Sequence, residues 1–342
     1  MESEFMKNDH ALVSVLMPVF NVQDYVAEAI ESMLNQTFTD FELILLDDCS
    51  TDKTAKVISG FNDPRIVYHR NERNLGLANN LNVGLNLAKG EFIARMDGDD
   101  ISLPNRLQIQ IDFLKDNKDI DLCSCGLEMF GTEHQVWIRE SDPEQVKVTM
   151  LFYSPVLHAT SVFRKDSFIK NGLYYNQDLF PAEDYDLWSR AIFYCKLVNI
   201  PEVLYRYRIH GIQVTKTDDR ADERDRQIQA TYLKNALPSL KKNDADMFIS
   251  RYIRKSNLTI HNVLSLKSIY CAVIDANQKD HFFDSKILTQ KLQRHFQNII
   301  VYLLTENKFS FYKSLKFYSL MFELRPRQIV KLFLKRSFNP SN

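Results

Sequence analysis

The sequence predicts an α/β protein with a mostly parallel, Rossmann-like sheet flanked by helices on both faces, followed by a C-terminal α-helical domain. Before Asp121, short apolar runs rich in β-forming residues alternate with segments whose apolar residues recur at helical spacing. Strand signals become shorter and more mixed as far as Arg208, and after Asp218 the pattern is helical. With 45% hydrophobic and 25% charged residues, the chain can bury a large core.

Three strand signals open the chain. Residues 12–17 are rich in β-forming side chains, and we expect Pro18 to end that strand because proline cannot donate to a sheet ladder. Residues 42–46 predict a second, buried strand, and residues 65–69 predict a third. Between the first two strands, five apolar residues at helical spacing predict one buried helix face: Val26, Ala29, Ile30, Met33 and Leu34.

The following elements lead into the most acidic segment of the chain. Ser50, Thr51 and Asp52 offer side chains that cap the helix after the second strand. A helix over residues 77–88 is followed by a buried strand over residues 90–96, and Pro104 suits the first turn of the next helix. The pattern as a whole predicts an N-terminal tail over residues 1–11, an α/β domain over residues 12–217 and a helical domain over residues 218–342.

Charge and composition exclude some classes of partner. The 43 basic and 44 acidic residues nearly cancel, so we expect no nucleic-acid partner. Five cysteines without metal-ligand spacing predict free thiols in a reducing compartment. The polar N-terminus lacks the apolar core of a signal peptide, and the most apolar run, residues 299–304, is too short to span a bilayer. We therefore expect a cytoplasmic protein.

The C-terminus is basic and allows two interpretations. From Asp284 onward, eleven lysines and arginines face three acids, and a helix over residues 327–336 would carry basic residues on one side and apolar residues on the other. Such a helix suits peripheral contact with the inner face of an anionic membrane. It equally suits a solvated helix face that packs on its own domain, and the sequence favours neither.

Carboxylates follow two strands of the predicted sheet. Asp97, Asp99 and Asp100 come directly after the strand over residues 90–96, and Asp47 and Asp48 follow the second strand. The carboxyl ends of parallel strands meet at one edge of the sheet, where open α/β sheets bind ligands. Acids gathered so closely repel one another, which indicates a divalent cation that would hold a diphosphate. A carboxylate beside it can accept hydrogen bonds from a ribose or a base.

Two other ligand classes fit the acids poorly. A calcium loop of the EF-hand type that began at Asp97 would need glycine at position six and glutamate at position twelve, and the chain has Ser102 and Gln108 there. A nicotinamide-binding domain would need a glycine-rich turn after the first strand, and residues 18–21 contain no glycine.

An ordered series of motifs resembles family 2 glycosyltransferases with the GT-A fold over about the first 215 residues. The series covers residues 15–21, 32–37, 47–52, 74–77, 90–100, 104–107, 182–190 and 207–211. The resemblance implies that the α/β domain is a catalytic domain, and that the helical remainder contacts an acceptor, a partner or a membrane.

The resemblance also implies roles for individual residues. The nucleotide-sugar would be bound by the loop after the first strand and by three further residues: Pro18, Val19, Phe20, Asn21, Asp48, Asp97 and Gly98. Asp48 would contact uracil, and Asp97 and Asp99 match the DXD motif, with Asp99 as the metal ligand. Asp184 matches the catalytic base. His210 matches a third metal ligand or a diphosphate contact, and a loop histidine without a role is the alternative.

These roles agree with inverting transfer by single displacement. The attacking hydroxyl needs one carboxylate to accept its proton, and the leaving diphosphate needs positive charge from Mn²⁺ or Mg²⁺. The expected donor is a nucleoside-diphosphate sugar, most simply a UDP-hexose or UDP-N-acetylhexosamine, and the expected acceptor is a glycan or glycolipid of cell-surface polysaccharide synthesis. The alternative is an inactive relative that binds the nucleotide-sugar or acts as a scaffold in a polysaccharide assembly complex.

Three positions depart from the family pattern or lie beside it. Cys49 stands where glycine is common, so we expect the turn after Asp48 to avoid a positive φ. Ala159 stands where relatives carry proline after His158, which predicts a differently shaped loop. We expect Glu183 to orient Asp184 or to raise the pKa of that carboxyl by like-charge proximity, and Trp188 to lie in the core.

Overall fold

A computed structural model describes residues 10–210, 221–252 and 260–305. The chain divides into two compact units, Met1–Ile228 and Gln229–Asn342. The domain boundaries predicted above, at residues 11 and 217, stay predictions.

The first unit carries all nine strands of the part of the chain that the structure describes. They are β1 Val13–Val19, β2 Phe41–Asp47, β3 Ile66–Arg70, β4 Phe92–Arg95, β5 Ile101–Ser102, β6 Leu122–Gly131, β7 Gln135–Trp137, β8 Val162–Arg164 and β9 Leu197–Ile209. Its helices are α1 Val26–Leu34, α2 Thr54–Ile58, α3 Leu77–Leu87, α4 Arg106–Asp116, α5 Pro143–Thr149, α6 Lys165–Ile169, α7 Glu183–Ala191 and the start of α8 Ala221–Ala236. Short 3₁₀ helices cover His158–Thr160 and Gln177–Leu179.

The strands form one sheet in the order β3-β2-β1-β4-β8-β6-β9-β5, with β7 added beside β6. The four strands β3, β2, β1 and β4 are parallel, which confirms the predicted alternation of strands and helices. Beyond β4 the sheet is mixed, because β8 is antiparallel to both β4 and β6 whereas β9 is parallel to β6. The carboxyl ends of β1, β2 and β4 therefore meet at one edge, as expected.

The prediction that Pro18 ends the first strand is wrong. β1 continues through Pro18 to Val19, and Pro18 lies opposite Leu46 of β2. Leu16 O accepts a hydrogen bond from Met96 N–H on the β4 side, so the nitrogen of Pro18, two residues on, faces that side too. The ladder between β1 and β4 ends at Leu16, so no bond is lost there.

The two faces of the sheet are covered by different helices. Val15, Leu43 and Ala94 share one core with Ile30 of α1 and Ile111 of α4. The predicted face of α1 is confirmed for its four fully buried residues: Val26, Ala29, Ile30 and Met33.

The opposite face of the sheet carries α3 and α7. Gly84 of α3 lies so close to Leu16 and Leu46 that an added Cβ would come within 2.5 Å of Leu46 Cδ1. Trp188 of α7, which is fully buried as predicted, makes an edge contact with Phe163 of β8 at 6.3 Å between ring centroids. α7 therefore lies over the part of this face formed by β8.

The second unit is helical where it is described. After the end of α8 it contains α9 Lys242–Tyr252, α10 Ile260–Asp280 and α11 Ser285–Thr305. Tyr232 packs against Phe283, and Leu288 and Leu292 of α11 are fully buried. Within the described ranges, no helix is both long enough and apolar enough to cross a membrane. The basic segment 327–336 lies outside the described residues.

Gly90 provides a test of how tightly β4 approaches β1. A Cβ at Gly90 would lie 2.6 Å from Ser14 N and 2.8 Å from Val13 C. Both are backbone atoms of β1. Backbone atoms cannot move aside as a side chain can, so we expect Gly90→Ala to lower the free energy of unfolding by about 1–3 kcal/mol. Urea denaturation followed by circular dichroism measures this loss. The control is Gly60→Ala, whose Cβ would come no nearer than 3.2 Å to Val57 O and should cost less; equal losses would contradict the account.

Candidate active site

The candidate site lies at the edge where β1, β2 and β4 end. Asp48 N–H donates to Val19 O at 3.0 Å, which joins the ends of β1 and β2. Gly98, after β4, lies against Val19 so closely that an added Cβ would be 2.6 Å from Val19 Cγ1. The fold therefore brings together the loop after β1, Asp48 and the acidic segment after β4.

The loop after β1 is fixed by the turn that follows β2. Pro18 and Val19 are buried, whereas Phe20 is 47% exposed. Asn21 has a left-handed backbone with φ of 53°, a conformation that asparagine tolerates. Its Oδ1 accepts hydrogen bonds from the backbone N–H groups of Thr51, at 2.8 Å, and Asp52, at 3.3 Å. Of the four predicted loop residues, only Phe20 thus carries an exposed apolar side chain.

Asp48 organises a second loop at the same edge. Its Oδ1 accepts hydrogen bonds from Asn71 Nδ2 and Leu75 N–H, each at 2.8 Å, and its Oδ2 accepts from Gly76 N–H at 2.9 Å. The carboxylate thus fixes residues 71–76 beside the end of β2. Since each carboxylate oxygen can accept two hydrogen bonds, Oδ2 retains capacity for one further donor.

The expectation that the turn after Asp48 avoids a positive φ is wrong, because Cys49 has φ of 63°. A non-glycine residue in this region costs about 1–2 kcal/mol. Hydrogen bonds on both sides of Cys49 hold the turn. Ser50 N–H donates to Asp47 Oδ1 at 2.7 Å, and Arg70 Nη2 donates to Ser50 O at 2.8 Å. The surrounding bonds therefore fix the conformation that glycine would adopt without strain.

The acidic segment after β4 forms a compact cluster. One carboxylate oxygen from each of Asp97, Asp99 and Asp100 lies within 4.8 Å of the others. Burial raises the pKa of Asp99, and repulsion by Asp97 raises it further. Burial and repulsion from both neighbours raise the pKa of Asp100 well above its usual range. These oxygen ligands and their mutual repulsion fit a hard divalent cation such as Mn²⁺ or Mg²⁺.

His210 reaches the acidic cluster from the end of β9. Its Nε2 lies 2.9 Å from Asp99 Oδ2, and its ring stacks on Tyr25 with 4.7 Å between centroids. Arg208 fixes the same strand end, since its N–H donates to Asp100 Oδ1 at 2.8 Å and its Nε donates to Asp99 O at 2.7 Å. The two residues assigned to the metal by resemblance, Asp99 and His210, are therefore in direct contact.

Asp184 and Glu183 lie in the first turn of α7. Burial raises the pKa of Asp184 to about 6. Burial also raises the pKa of Glu183 to about 7, with a further contribution from repulsion by Asp184. Burial is therefore the main cause of the shift at Asp184, and the like-charge effect expected from the sequence appears chiefly at Glu183. A carboxyl with pKa near 6 is suited to accept a proton at neutral pH.

Half-buried His158 and buried Tyr175 form a polar pair near the same acids. His158 Nε2 lies 2.9 Å from the Tyr175 hydroxyl, and the His158 ring makes an edge contact with Trp188 at 6.0 Å. Burial lowers the pKa of His158 well below its usual value, so the imidazole is neutral. The pKa of Tyr175 is raised by burial and by the charges of Asp184 and Glu183.

Sequence reasoning missed several residues of this region. Arg95 is 2% exposed and forms an ion pair with Asp97. The Tyr205 hydroxyl accepts a hydrogen bond from Asp97 N–H at 3.1 Å. Burial raises the pKa of Asp225, in α8, to about 6, and repulsion by Asp184 contributes to this shift. An arginine inside an otherwise apolar strand could have indicated Arg95, whereas no local pattern marks Tyr205 or Asp225.

Comparisons with known proteins agree with this geometry. The family model described as glycosyl transferase family 2 matches residues 14–171. The O-antigen biosynthesis glycosyltransferase WbnJ of Escherichia coli is 34% identical over 218 residues, which cover 60% of this chain and 83% of WbnJ. The fold, the site and this relative define the class of protein: the chain is a glycosyltransferase and belongs to glycosyl transferase family 2.

Solved structures show the same fold. Staphylococcus aureus TarS, crystallised in complex with UDP-GlcNAc, superposes with a TM-score of 0.61 at 19% identity, covering 88% of this chain and 93% of TarS. The mannosyltransferase PcManGT from Pyrobaculum calidifontis, in complex with GDP-Man and Mn²⁺, has a TM-score of 0.53 at 14% identity and covers 95% of this chain and 87% of PcManGT. The GT-A fold predicted from the sequence is confirmed.

The raised pKa values of α7 predict a pH-dependent stability difference. The folded state holds a proton on Glu183 up to about pH 7, whereas the unfolded chain releases it near pH 4.5, so the free energy of unfolding falls as pH rises between these values. Glu183→Gln should therefore be more stable than the wild type at pH 8, by roughly 1–3 kcal/mol, and similar to it at pH 4. Thermal unfolding across this range measures the difference. Glu31→Gln, at an exposed position of α1, is the control and should show no such trend; a gain for Glu183→Gln that is equal at pH 4 and pH 8 would contradict the account.

Proposed function

We propose that this glycosyltransferase moves a sugar from a UDP-sugar, with a hexose or N-acetylhexosamine as the donor group, to a glycan or glycolipid acceptor with inversion at the anomeric carbon. The observation that carries the proposal is the presence of two kinds of acid on different elements of the first unit. A cluster suited to a cation, with Asp99 and His210 in contact, follows β4, and Asp184, a base candidate with pKa near 6, lies in the first turn of α7. Single displacement needs both functions and no second nucleophilic carboxylate.

The donor nucleotide would lie at the edge formed by the loop Pro18, Val19, Phe20 and Asn21 and by Asp48. Phe20 offers an exposed aromatic ring, and Asp48 Oδ2 can accept one further hydrogen bond, which suits the N–H of uracil. Asp97 and Gly98 would contact the ribose and diphosphate. The UDP-GlcNAc complex of TarS, a protein of the same fold, supports a uridine donor.

Asp99 and His210 would hold a divalent cation, with Mn²⁺ favoured over Mg²⁺ by the imidazole. The cation would act as a Lewis acid that stabilises the charge on the departing diphosphate. Asp97 and Asp100 add negative charge to the same cluster, which increases its attraction for a cation. The Mn²⁺ complex of PcManGT supports this assignment.

Asp184 would accept the proton of the acceptor hydroxyl. Its pKa of about 6 leaves it ionised at neutral pH while it remains a stronger base than an ordinary aspartate. In this proposal the acceptor would approach from the Asp184 side, and the diphosphate would depart on the side of the acidic cluster. The domain over residues 12–217 would carry this chemistry.

The relatives and the composition support a proposal for the setting of the reaction. We place the acceptor in cell-surface polysaccharide synthesis, as in the O-antigen relative, and the enzyme in the cytoplasm. The helical domain over residues 218–342 would contact the acceptor, a partner or, through its basic C-terminus, the inner face of the membrane. No nucleic-acid partner is proposed.

Asp184→Asn tests the base. The variant keeps the size of the side chain but cannot accept the proton, so we expect the kcat for hydrolysis of UDP-GlcNAc or UDP-glucose with Mn²⁺ to fall by about 10²–10⁴-fold. Binding of UDP, measured by calorimetry, should change little. Asp186→Asn, on the same helix, is the control because Asp186 bonds Arg190 instead. A wild type that binds UDP with Mn²⁺ but neither hydrolyses nor transfers any sugar would favour the scaffold alternative.

Asp99→Asn tests the metal site. Loss of one anionic ligand should weaken Mn²⁺ binding in the presence of UDP by about tenfold or more. Titration of free Mn²⁺ by electron paramagnetic resonance measures the affinity directly. Asp112→Asn, at an exposed position of α4, should leave it unchanged. Unaltered affinity in Asp99→Asn would exclude Asp99 as a ligand.

A further inference from the structure

Arg95 ends β4 with both of its backbone groups fixed. Its N–H donates to Ser161 O at 2.9 Å, and its carbonyl accepts a hydrogen bond from Arg106 Nη2 at 2.7 Å. The side chain is 2% exposed and forms an ion pair with Asp97. A buried guanidinium is costly unless negative charge surrounds it. The acids near Arg95 therefore stabilise its guanidinium in the buried position.

The register of the sheet places the Arg95 side chain on the face that α7 covers. Ile93 lies opposite Phe163 of β8, and residues directly opposite one another share a face. Phe163 contacts Trp188 of α7 on that face. Since side chains alternate along a strand, Arg95 lies on the same face as Ile93. The guanidinium therefore lies on the side of the sheet where α7 begins with Glu183 and Asp184.

The charge of Arg95 acts on both groups of acids. Its ion pair holds Asp97 at the start of the acidic cluster. Against the effect of burial, it also lowers the pKa of Asp184 and of Glu183. The same positive charge adds to the burial that keeps His158 neutral. Arg95 is thus the buried cation shared by acids that the proposed function assigns to opposite sides of the reaction centre.

We propose that Arg95 is a positioning residue for glycosyl transfer, and that its buried guanidinium is the common counter-ion of Asp97 on the donor side and of Asp184 on the acceptor side. It contacts neither the sugar nor the attacking hydroxyl in this account. It acts through the two carboxylates, by holding one in place and by keeping the other ionised. The catalytic role of Arg95 rests on the proposed function. The effect of its charge on Asp184 can be measured in the absence of turnover.

Several other charged or titratable groups face Asp184 and must be included in the comparison. They come from α7 itself, from the residues after β4, from the segment before α7 and from α8. These groups are Glu183, Asp97, Tyr175 and Asp225. His158, which contacts Tyr175, is neutral, and the three other carboxyls oppose ionisation of Asp184. Arg95 is therefore the positive charge that favours the ionised form among these groups.

The test compares Arg95→Met, which removes the charge, with Arg95→Lys, which keeps it. In protein labelled with ¹³C-aspartate, and with Asp184→Asn used for assignment, the carboxyl resonance of Asp184 gives its pKa directly. We expect the titration midpoint to rise by about one pH unit or more in Arg95→Met. Arg95→Lys should stay close to the wild type. The acid limb of the pH profile for UDP-GlcNAc hydrolysis should move in the same direction by a similar amount.

Arg164→Met is the matched control, since Arg164 of β8 is also largely buried but bonds Leu114 O and Ile120 O. It should lose stability without moving the Asp184 titration. If Arg95→Met does not fold, the double variant Arg95→Met/Asp97→Asn removes the cation together with its partner. Its Asp184 midpoint is then compared with that of Asp97→Asn, and we expect the same upward shift.

The outcomes separate this inference from the proposed function. An unchanged Asp184 midpoint in Arg95→Met, or in the double variant relative to Asp97→Asn, would overturn the inference. Equal loss of activity in the methionine and lysine variants at every pH would also overturn it, because this pattern indicates packing alone. A shifted midpoint in a protein that turns over no sugar nucleotide would support the electrostatic role of Arg95 and reject the proposed function.

Discussion

The electrostatic repulsion among carboxylates at one edge of the sheet is the constraint on which the rest of the site depends. Asp97, Asp99 and Asp100 follow β4 within 4.8 Å of one another, and burial makes their repulsion stronger than it would be in water. The fold opposes this repulsion with fixed positive charge and with donors from other strands. Arg95 pairs with Asp97, and Arg208 donates to Asp100 and to the carbonyl of Asp99. The negative charge that these groups do not neutralise would attract the cation of the proposed function.

Residues at and near the same edge lower the stability of the folded protein. Cys49 adopts a left-handed backbone, and buried Glu183 and half-buried Asp184 have raised pKa values. Each feature lowers the stability of the folded state at neutral pH, and each lies at or beside a residue to which the proposed function gives a role. The parallel strands β1, β2 and β4, with cores on both faces, provide the rigid support that tolerates these costs.

Much of this arrangement could be predicted from the sequence, for physical reasons. The apolar runs and helical spacing specify β1 to β4 and α1 to α4, and the parallel order places the carboxyl ends of three strands together. The ordered motifs then indicate the family.

Pro18 was misjudged because its effect depends on where the β4 ladder ends, which is a property of the neighbouring strand. Cys49 was misjudged because hydrogen bonds around it fix its backbone: Ser50 N–H bonds Asp47, and Arg70, twenty residues from Ser50 in the sequence, bonds the Ser50 carbonyl. The link from Arg95 to Asp184 depends on which face α7 covers, and no local pattern contains that information.

The central claim is inverting transfer, with the base on one side of the anomeric carbon and the diphosphate on the other. ¹H NMR of the sugar released from UDP-α-GlcNAc by the wild-type protein with Mn²⁺, recorded before mutarotation, tests this claim most directly. The account predicts that the first product is the β-anomer and that its formation is lost in Asp184→Asn. Initial release of the α-anomer would show retention of configuration and would contradict the account.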